Sequence, residues 1–101
     1  EEFVSRTGDD EALAEELIAY FRDDAPVVMG KLSQALGQGD AGTTVMHAHR
    51  LKGEAATLSA RCLSRAAYAI ELAAAGDEMD RARELMKLLE REFQQLLPLL
   101  R

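Results

Sequence analysis

An all-α fold, an up-down antiparallel four-helix bundle with an additional N-terminal helical segment, is predicted by three features of the sequence. Apolar residues recur at a period of about 3.6 and do not alternate as a half-buried strand would require. The segments marked in this way are joined by very short stretches of Gly, Asp, Ser and Ala, which leave room only for a reversal between neighbouring helices. No segment reads as a strand, and neither internal repeats nor low-complexity linkers interrupt the pattern.

Taken in order, residues 1–8 read as a loose lead-in, and Asp9 or Asp10 is suited to cap a helix carrying Leu13, Leu17, Ile18, Tyr20 and Phe21 on its buried face. Pro26 is expected to interrupt this helix or to open a new one from its first turn, because proline lacks the N–H that a helix interior uses. Val27, Val28, Leu32 and Leu36 continue the apolar stripe. Gly37-Gln38-Gly39-Asp40 ends that segment, with Asp40 as the cap of a helix over residues 41–58. Ser59-Ala60 marks a tight connection to a helix over 61–75 with Leu63, Ala66, Ala67, Ile70 and Ala74 inward. Gly76-Asp77 reads as a stop followed by the next cap, and the last helix carries Met79, Ala82, Leu85, Met86, Leu89, Phe93, Leu96 and Leu97 until Pro98 ends or frays it.

With 101 residues, 48% of them hydrophobic and 30% charged, the chain is expected to be one domain over 1–101, folded around one core. Its opening on Glu1, not Met, is read as the mark of a domain excised from a longer signalling protein. A net charge of −6 argues against nucleic acid, which demands a concentrated basic surface. No apolar run reaches membrane length and no signal peptide is seen, so a cytoplasmic domain without membrane contact is expected. Cys62 is the only cysteine, which excludes a disulfide framework and a thiolate metal site; core packing is its expected role.

The chemistry concentrates in the helix over 41–58. At about 100° per residue, Thr44, Ala48, Leu51, Ala55 and Leu58 share one buried face, and His49 points roughly 140° away from its centre. Around His49 lie Val45, Met46, Lys52, Gly53 and Ala56, a small and apolar surface where a solvated face would carry charge. An exposed imidazole, ordinarily titrating near pH 6.5, offers a neutral ring nitrogen as nucleophile. Lys52, three residues on, can hold a phosphoryl oxygen as a point charge. Gly53 costs roughly 0.5 to 1 kcal/mol in a helix interior relative to alanine, so something other than helix stability accounts for it; it would allow an incoming active site to approach closely. If the chain reverses at Ser59-Ala60, Glu71 comes level with His49, where a carboxylate accepting the Nδ1 proton would leave Nε2 as the nucleophile.

These residues resemble the histidine-containing phosphotransfer (HPt) domain family. Its signature, Ala-His-x-Leu-Lys-Gly followed by small residues, a Leu and then Gly-Ala, reads here as Ala48 to Gly53, Ala55, Ala56, Leu58, Ser59 and Ala60, and the match runs on through Leu63, Ile70 and Glu71. Glu54 stands where a small residue or Ser is usual, and Ser59 where Gly is usual. The resemblance implies a phosphorelay intermediate of two-component signal transduction that carries a phosphoryl group on His49 between receiver-domain aspartates. Glu71 would orient the imidazole, Lys52 would stabilise the phosphoryl group and Gly53 would give access, while Val45, Met46, Arg50 and Ala56 would dock the partner. The partners implied are receiver domains of response regulators or of hybrid histidine kinases. The domain itself would be a monomer without cofactor, the Mg²⁺ being carried by the receiver.

Three rivals are weaker. A bundle metal site would need Glu-x-x-His pairs, and neither His47 nor His49 has a Glu three residues before it. A histidine kinase would need an ATP domain and a glycine-rich loop, for which the chain is too short, and His49 lacks the acid and proline usual beside a kinase phosphoacceptor. Intrinsic kinase activity and ATP binding are therefore not expected. A helical-bundle adaptor that docks a receiver or kinase without being phosphorylated would not need His49, Lys52 and Gly53 together. His47, at the edge of the buried stripe, reads as structural. Arg50, Lys52, Arg61 and Arg65 form a local basic cluster suited to a small acidic partner surface.

Overall fold

The computed structural model describes residues 11–100. They form α1 (Glu11–Gln38), α2 (Ala41–Thr57), α3 (Arg61–Ala75) and α4 (Met79–Leu96), closed by a 3₁₀ turn over Leu97–Leu99, with no strand among the described residues. The lead-in and the candidate caps Asp9 and Asp10 lie outside the described residues.

The expected break at Pro26 does not occur: α1 runs through it as one helix, so the separate segment expected at the N-terminal side of Pro26 is part of α1. Pro26 and Arg22 are both on the exposed side, so the Arg22 carbonyl loses its intrahelical partner where water can take the place. Ala25, Val28 and Met29 beside the proline are buried, and that burial favours keeping the helix whole.

All three connections use one geometry, in which a helix ends on a left-handed residue and two backbone bonds fold back onto its last carbonyls. The left-handed residues are Gly39 (φ 70°), Ser59 (φ 59°) and Asp77 (φ 64°). Gly39 N donates to Leu36 O and Asp40 N to Ala35 O; Ser59 N donates to Ala56 O and Ala60 N to Ala55 O; Asp77 N donates to Ala74 O and Glu78 N to Ala73 O. Asp77 is therefore the terminator of α3 and not the cap of α4, which starts from Glu78 without a side-chain cap. Asp40 does cap α2. Its Oδ1 accepts from Thr43 N at 3.1 Å and its Oδ2 from the Thr43 hydroxyl at 2.6 Å, and these bonds hold its carboxyl below the usual range.

The core unites Phe21, Val28, Leu32 and Leu36 of α1 with Leu51 of α2, Leu63 and Ile70 of α3, and Met86, Leu89 and Phe93 of α4. Phe21 and Phe93 meet with ring centroids 6.0 Å apart, a tilted aromatic pair. Arg22 donates to the Leu100 carbonyl and Arg83 Nε to the Leu36 carbonyl at 3.0 Å, tying α1 to the other end of the chain. Four expected core positions face solvent. Leu13, Tyr20 and Val27 lie on the flank of α1 beside its buried stripe, which is narrower than the run of apolar residues suggests. Cys62 is exposed in the first turn of α3, one position ahead of buried Leu63, so it does not pack in the core.

Ser59 occupies a conformation that L-residues adopt at a cost and glycine adopts freely. Ser59→Gly is expected to stabilise the fold by up to about 1 kcal/mol, and Ser59→Val to destabilise it by about 1 kcal/mol or more. Urea unfolding of the two variants checks this; a lower midpoint for Ser59→Gly would refute it.

Candidate functional site

The buried face of α2 consists of Thr44, Ala48, Leu51 and Ala55, continued by the C-cap Leu58, the five positions that the 100° rule selects. Thr44 satisfies its hydroxyl by donating to the Asp40 carbonyl at 2.8 Å. Locking this stripe into the core turns the opposite face outward, and the His49 side chain is 67% exposed. Met46, Gly53 and Ala56 are exposed around it, and Val45 is half-buried. A Cβ added at Gly53 would meet nothing within 4 Å, so no packing contact in this fold requires the glycine.

α3 supplies the second half of the site. Ser64 donates to the Lys52 carbonyl at 3.2 Å and fixes the register of α3 against α2 one turn from the short connection. Seven residues further along α3, Glu71 meets two side chains of α2 at once: its Oε2 is 3.1 Å from His49 Nδ1, and its Oε1 is 2.9 Å from Lys52 Nζ. Burial pushes the Glu71 carboxyl up, but the hydrogen bonds from Lys52 and His49 and the charges they carry outweigh it and hold the group below its usual range. An ionised carboxylate only accepts hydrogen bonds, so His49 Nδ1 carries the proton. In a neutral ring that leaves the lone pair on Nε2, across the ring from Glu71. Lys52 is 27% exposed, and its ammonium lies 4.6 Å from the centre of the Tyr68 ring.

Arg50, expected among the docking residues, reaches across the seam to α1 while its side chain stays 47% exposed. Its guanidinium reaches Asp24 at 2.9 Å, Glu54 at 3.2 Å and the Tyr20 hydroxyl at 3.4 Å. Its offset of about 100° from His49 already takes it a quarter-turn away from the site. Burial, and then the neighbouring Asp24, push the Glu54 carboxyl up. Asp24 is held down, first by its hydrogen bond with Glu54 and further by the Arg50 charge. Of the four basic residues, Arg50 and Lys52 do not gather: they engage carboxylates on opposite sides of α2. Glu54 stays on the far side from His49, as its position on the helix predicts, and His47 is half-buried.

Two residues of α3 that the sequence reading does not mark out are exposed, Tyr68 to 46% beside Lys52 and Leu72 to 54%. Tyr68 stands three residues before Glu71 on α3, a spacing that places both on one side of the helix and would have been sufficient to find it. Leu72 had no such signal, because an apolar residue in an Ala- and Leu-rich helix reads as core.

Among the described residues, no group of three or more His, Cys, Asp or Glu side chains is placed to hold a metal ion, and no helix is long and apolar enough to cross a membrane. Comparison with curated proteins and with solved structures returns no match. The sequence profile of the Hpt domain matches residues 16–98, which covers the whole arrangement of α2 and α3 around His49, all of α4 and most of α1. The chain belongs to the Hpt domain family, the phosphotransfer modules of two-component signalling that interact with receiver domains.

Proposed function

We propose that the chain is a phosphorelay intermediate in which His49 accepts a phosphoryl group from the aspartyl phosphate of one receiver domain and passes it to an aspartate of another. The observation that carries this reading is the exposed imidazole held through Nδ1 by Glu71, with Nε2 as the remaining nitrogen. In the forward step the Nε2 lone pair attacks phosphorus, the Nε2–P bond forms and the bond from phosphorus to the aspartyl oxygen breaks, returning that aspartate as a carboxylate. The Nδ1 proton stays on the ring beside Glu71, whose negative charge offsets the positive charge that develops on the imidazole. Lys52, already beside the ring, meets the phosphoryl oxygens, and Gly53 leaves the approach open. The Mg²⁺ belongs to the receiver.

Val45, Met46 and Ala56 form the docking rim, with Leu72 extending it onto α3. Arg50 contributes at its edge while bound to Asp24 and Glu54. An up-down path for the four helices is supported by the short connections and by the levels at which His49 meets Glu71 and Ser64 meets Lys52. The domain works as a cytoplasmic monomer without intrinsic kinase activity or ATP binding.

His49→Gln should abolish acid-labile phosphorylation by a phosphorylated receiver with the helical circular dichroism unchanged, and His47→Gln should leave it intact; label retained on the His49 variant would sink the proposal. Glu71→Gln should move the imidazole proton toward Nε2, visible in the His49 ring ¹⁵N shifts, and slow transfer by roughly 10-fold or more, within the range that proton positioning contributes to catalysis. Unchanged ring shifts and an unchanged rate would remove Glu71 from the mechanism. At Gly53, alanine should stabilise the fold by up to about 1 kcal/mol, because the added methyl group meets no neighbour. Glutamine there should fold normally yet exchange phosphoryl groups with its receiver far more slowly. Paired urea unfolding and transfer rates test both, and a Gly53→Gln variant that transferred at the wild-type rate would exclude close approach over this position.

A further inference from the structure

We infer that Tyr68 is a positioning residue for phosphoryl transfer: its ring face holds the Lys52 ammonium on Glu71, and through Glu71 the orientation of His49. The inference rests on the relay reading given above and deepens it. Lysine has a flexible four-carbon stem and a strongly hydrated head, so on the outward face of α2 its ammonium would ordinarily sample solvent. Here it does not: Lys52 is only 27% exposed, its Nζ 2.9 Å from Glu71 Oε1 and 4.6 Å from the Tyr68 ring centre. The ring and the carboxylate come from the same side of α3, three residues apart, and the Lys52 backbone is itself held by Ser64.

The order of dependence follows from the two Glu71 oxygens. One takes the Lys52 ammonium and the other takes His49 Nδ1, so the carboxylate is fixed in its plane only while both are engaged. If the ammonium leaves, the carboxylate is free to turn, and the imidazole loses the fixed acceptor that sets its proton and its angle. The contact that ties Tyr68 to the site is the one with the Lys52 ammonium, so it acts through Lys52. The attraction is that of a cation for the negative face of an aromatic ring, which requires the ring and not the hydroxyl.

Three proteins separate this role from simple docking: wild type, Tyr68→Phe and Tyr68→Leu, all expected to fold because position 68 is 46% exposed. The first measurement is the ¹H–¹³C shift of the Lys52 ε-methylene, displaced upfield by the ring current in wild type and in Tyr68→Phe and returned to the ordinary lysine value in Tyr68→Leu. The second is the rate of His49 phosphorylation by phosphoramidate, a small donor that has no docking surface to miss. Tyr68→Phe should match wild type, and Tyr68→Leu should be slower by roughly two- to fivefold, the range expected for one cation–π contact at an exposed site. A Tyr68→Leu variant as fast as wild type with phosphoramidate but slow with a phosphorylated receiver would make Tyr68 a docking residue and overturn the inference. So would a Lys52 shift unchanged in Tyr68→Leu, or a Tyr68→Phe variant as slow as Tyr68→Leu. If wild type took no label at His49 from either donor, the relay reading itself would fall, while the Lys52 shift would still report whether the ring holds the ammonium.

Discussion

Glu71 is the group on which the site depends, because one carboxylate anchors two side chains of the neighbouring helix through its two oxygens. That double contact is possible only in one register of α3 against α2. A shift of one residue would turn Glu71 by about 100° and carry it off the seam. The register is set nearby, by the turn through left-handed Ser59, by the burial of Leu58 and Leu63 on either side of it, and by the Ser64 hydroxyl on the Lys52 carbonyl. The Glu71 carboxyl is held below its usual range, so its pairing adds stability at neutral pH. That contribution is lost as pH falls through the lowered folded value. The same protonation would remove the acceptor from His49 Nδ1, which couples the geometry of the imidazole to the charge of a residue on another helix.

The opposite flank of α2 carries the reverse arrangement. Glu54 is raised and Asp24 lowered, with Arg50 between them, so one carboxyl of the pair takes up a proton more readily than a free glutamic acid would. A raised carboxyl contributes stability below its ordinary range and loses it as pH rises through the folded value, the opposite sign to Glu71. α2 thus divides its circumference among four tasks: the core stripe, a seam with α1, a seam with α3, and an outward strip carrying His49 and Gly53. Arg50 illustrates how little angle separates them, since a quarter-turn moves a residue from the outward strip to the α1 seam.

What the sequence makes legible follows the strength of the physical signal. The stripe of α2 was readable because five small or apolar residues at helical spacing admit one buried face, and the exposure of His49 is the geometric consequence. The meeting of His49 and Glu71 is readable because so short a connection leaves little freedom in how the following helix returns. The misreadings arise where a local rule is overridden by packing. Pro26 has the chemistry to break a helix that burial on its other face keeps whole, and Leu13, Tyr20 and Val27 have the spacing of an apolar run that is wider than the stripe the core covers. Cys62 is of a residue type that usually packs inward, but its angle on α3, one residue ahead of Leu63, turns it to solvent. Asp77 has the chemistry of a cap, but the left-handed terminus of the preceding helix claims it first. Tyr68 is legible from its spacing to Glu71 along α3, whereas its partner, the Lys52 ammonium, lies on another helix and has no local signal.

The distribution of energy explains why the site can be built from residues that do little for the fold. The contacts of Glu71 with His49 and Lys52 involve partly exposed groups, and ion pairs of that kind contribute little to stability. Truncating a fully buried residue such as Leu51 would cost about 2 to 5 kcal/mol. The core therefore dictates the register and the site inherits it. His49 and Gly53 lie on the strip of α2 that no neighbouring helix covers, so neither is constrained by packing; Gly53 even runs against helix propensity with no contact in the fold to require it. In the proposed relay that glycine keeps the way to the exposed imidazole open to a receiver arriving from outside, and the exposed apolar Met46, one turn before His49, belongs to the surface on which it would dock.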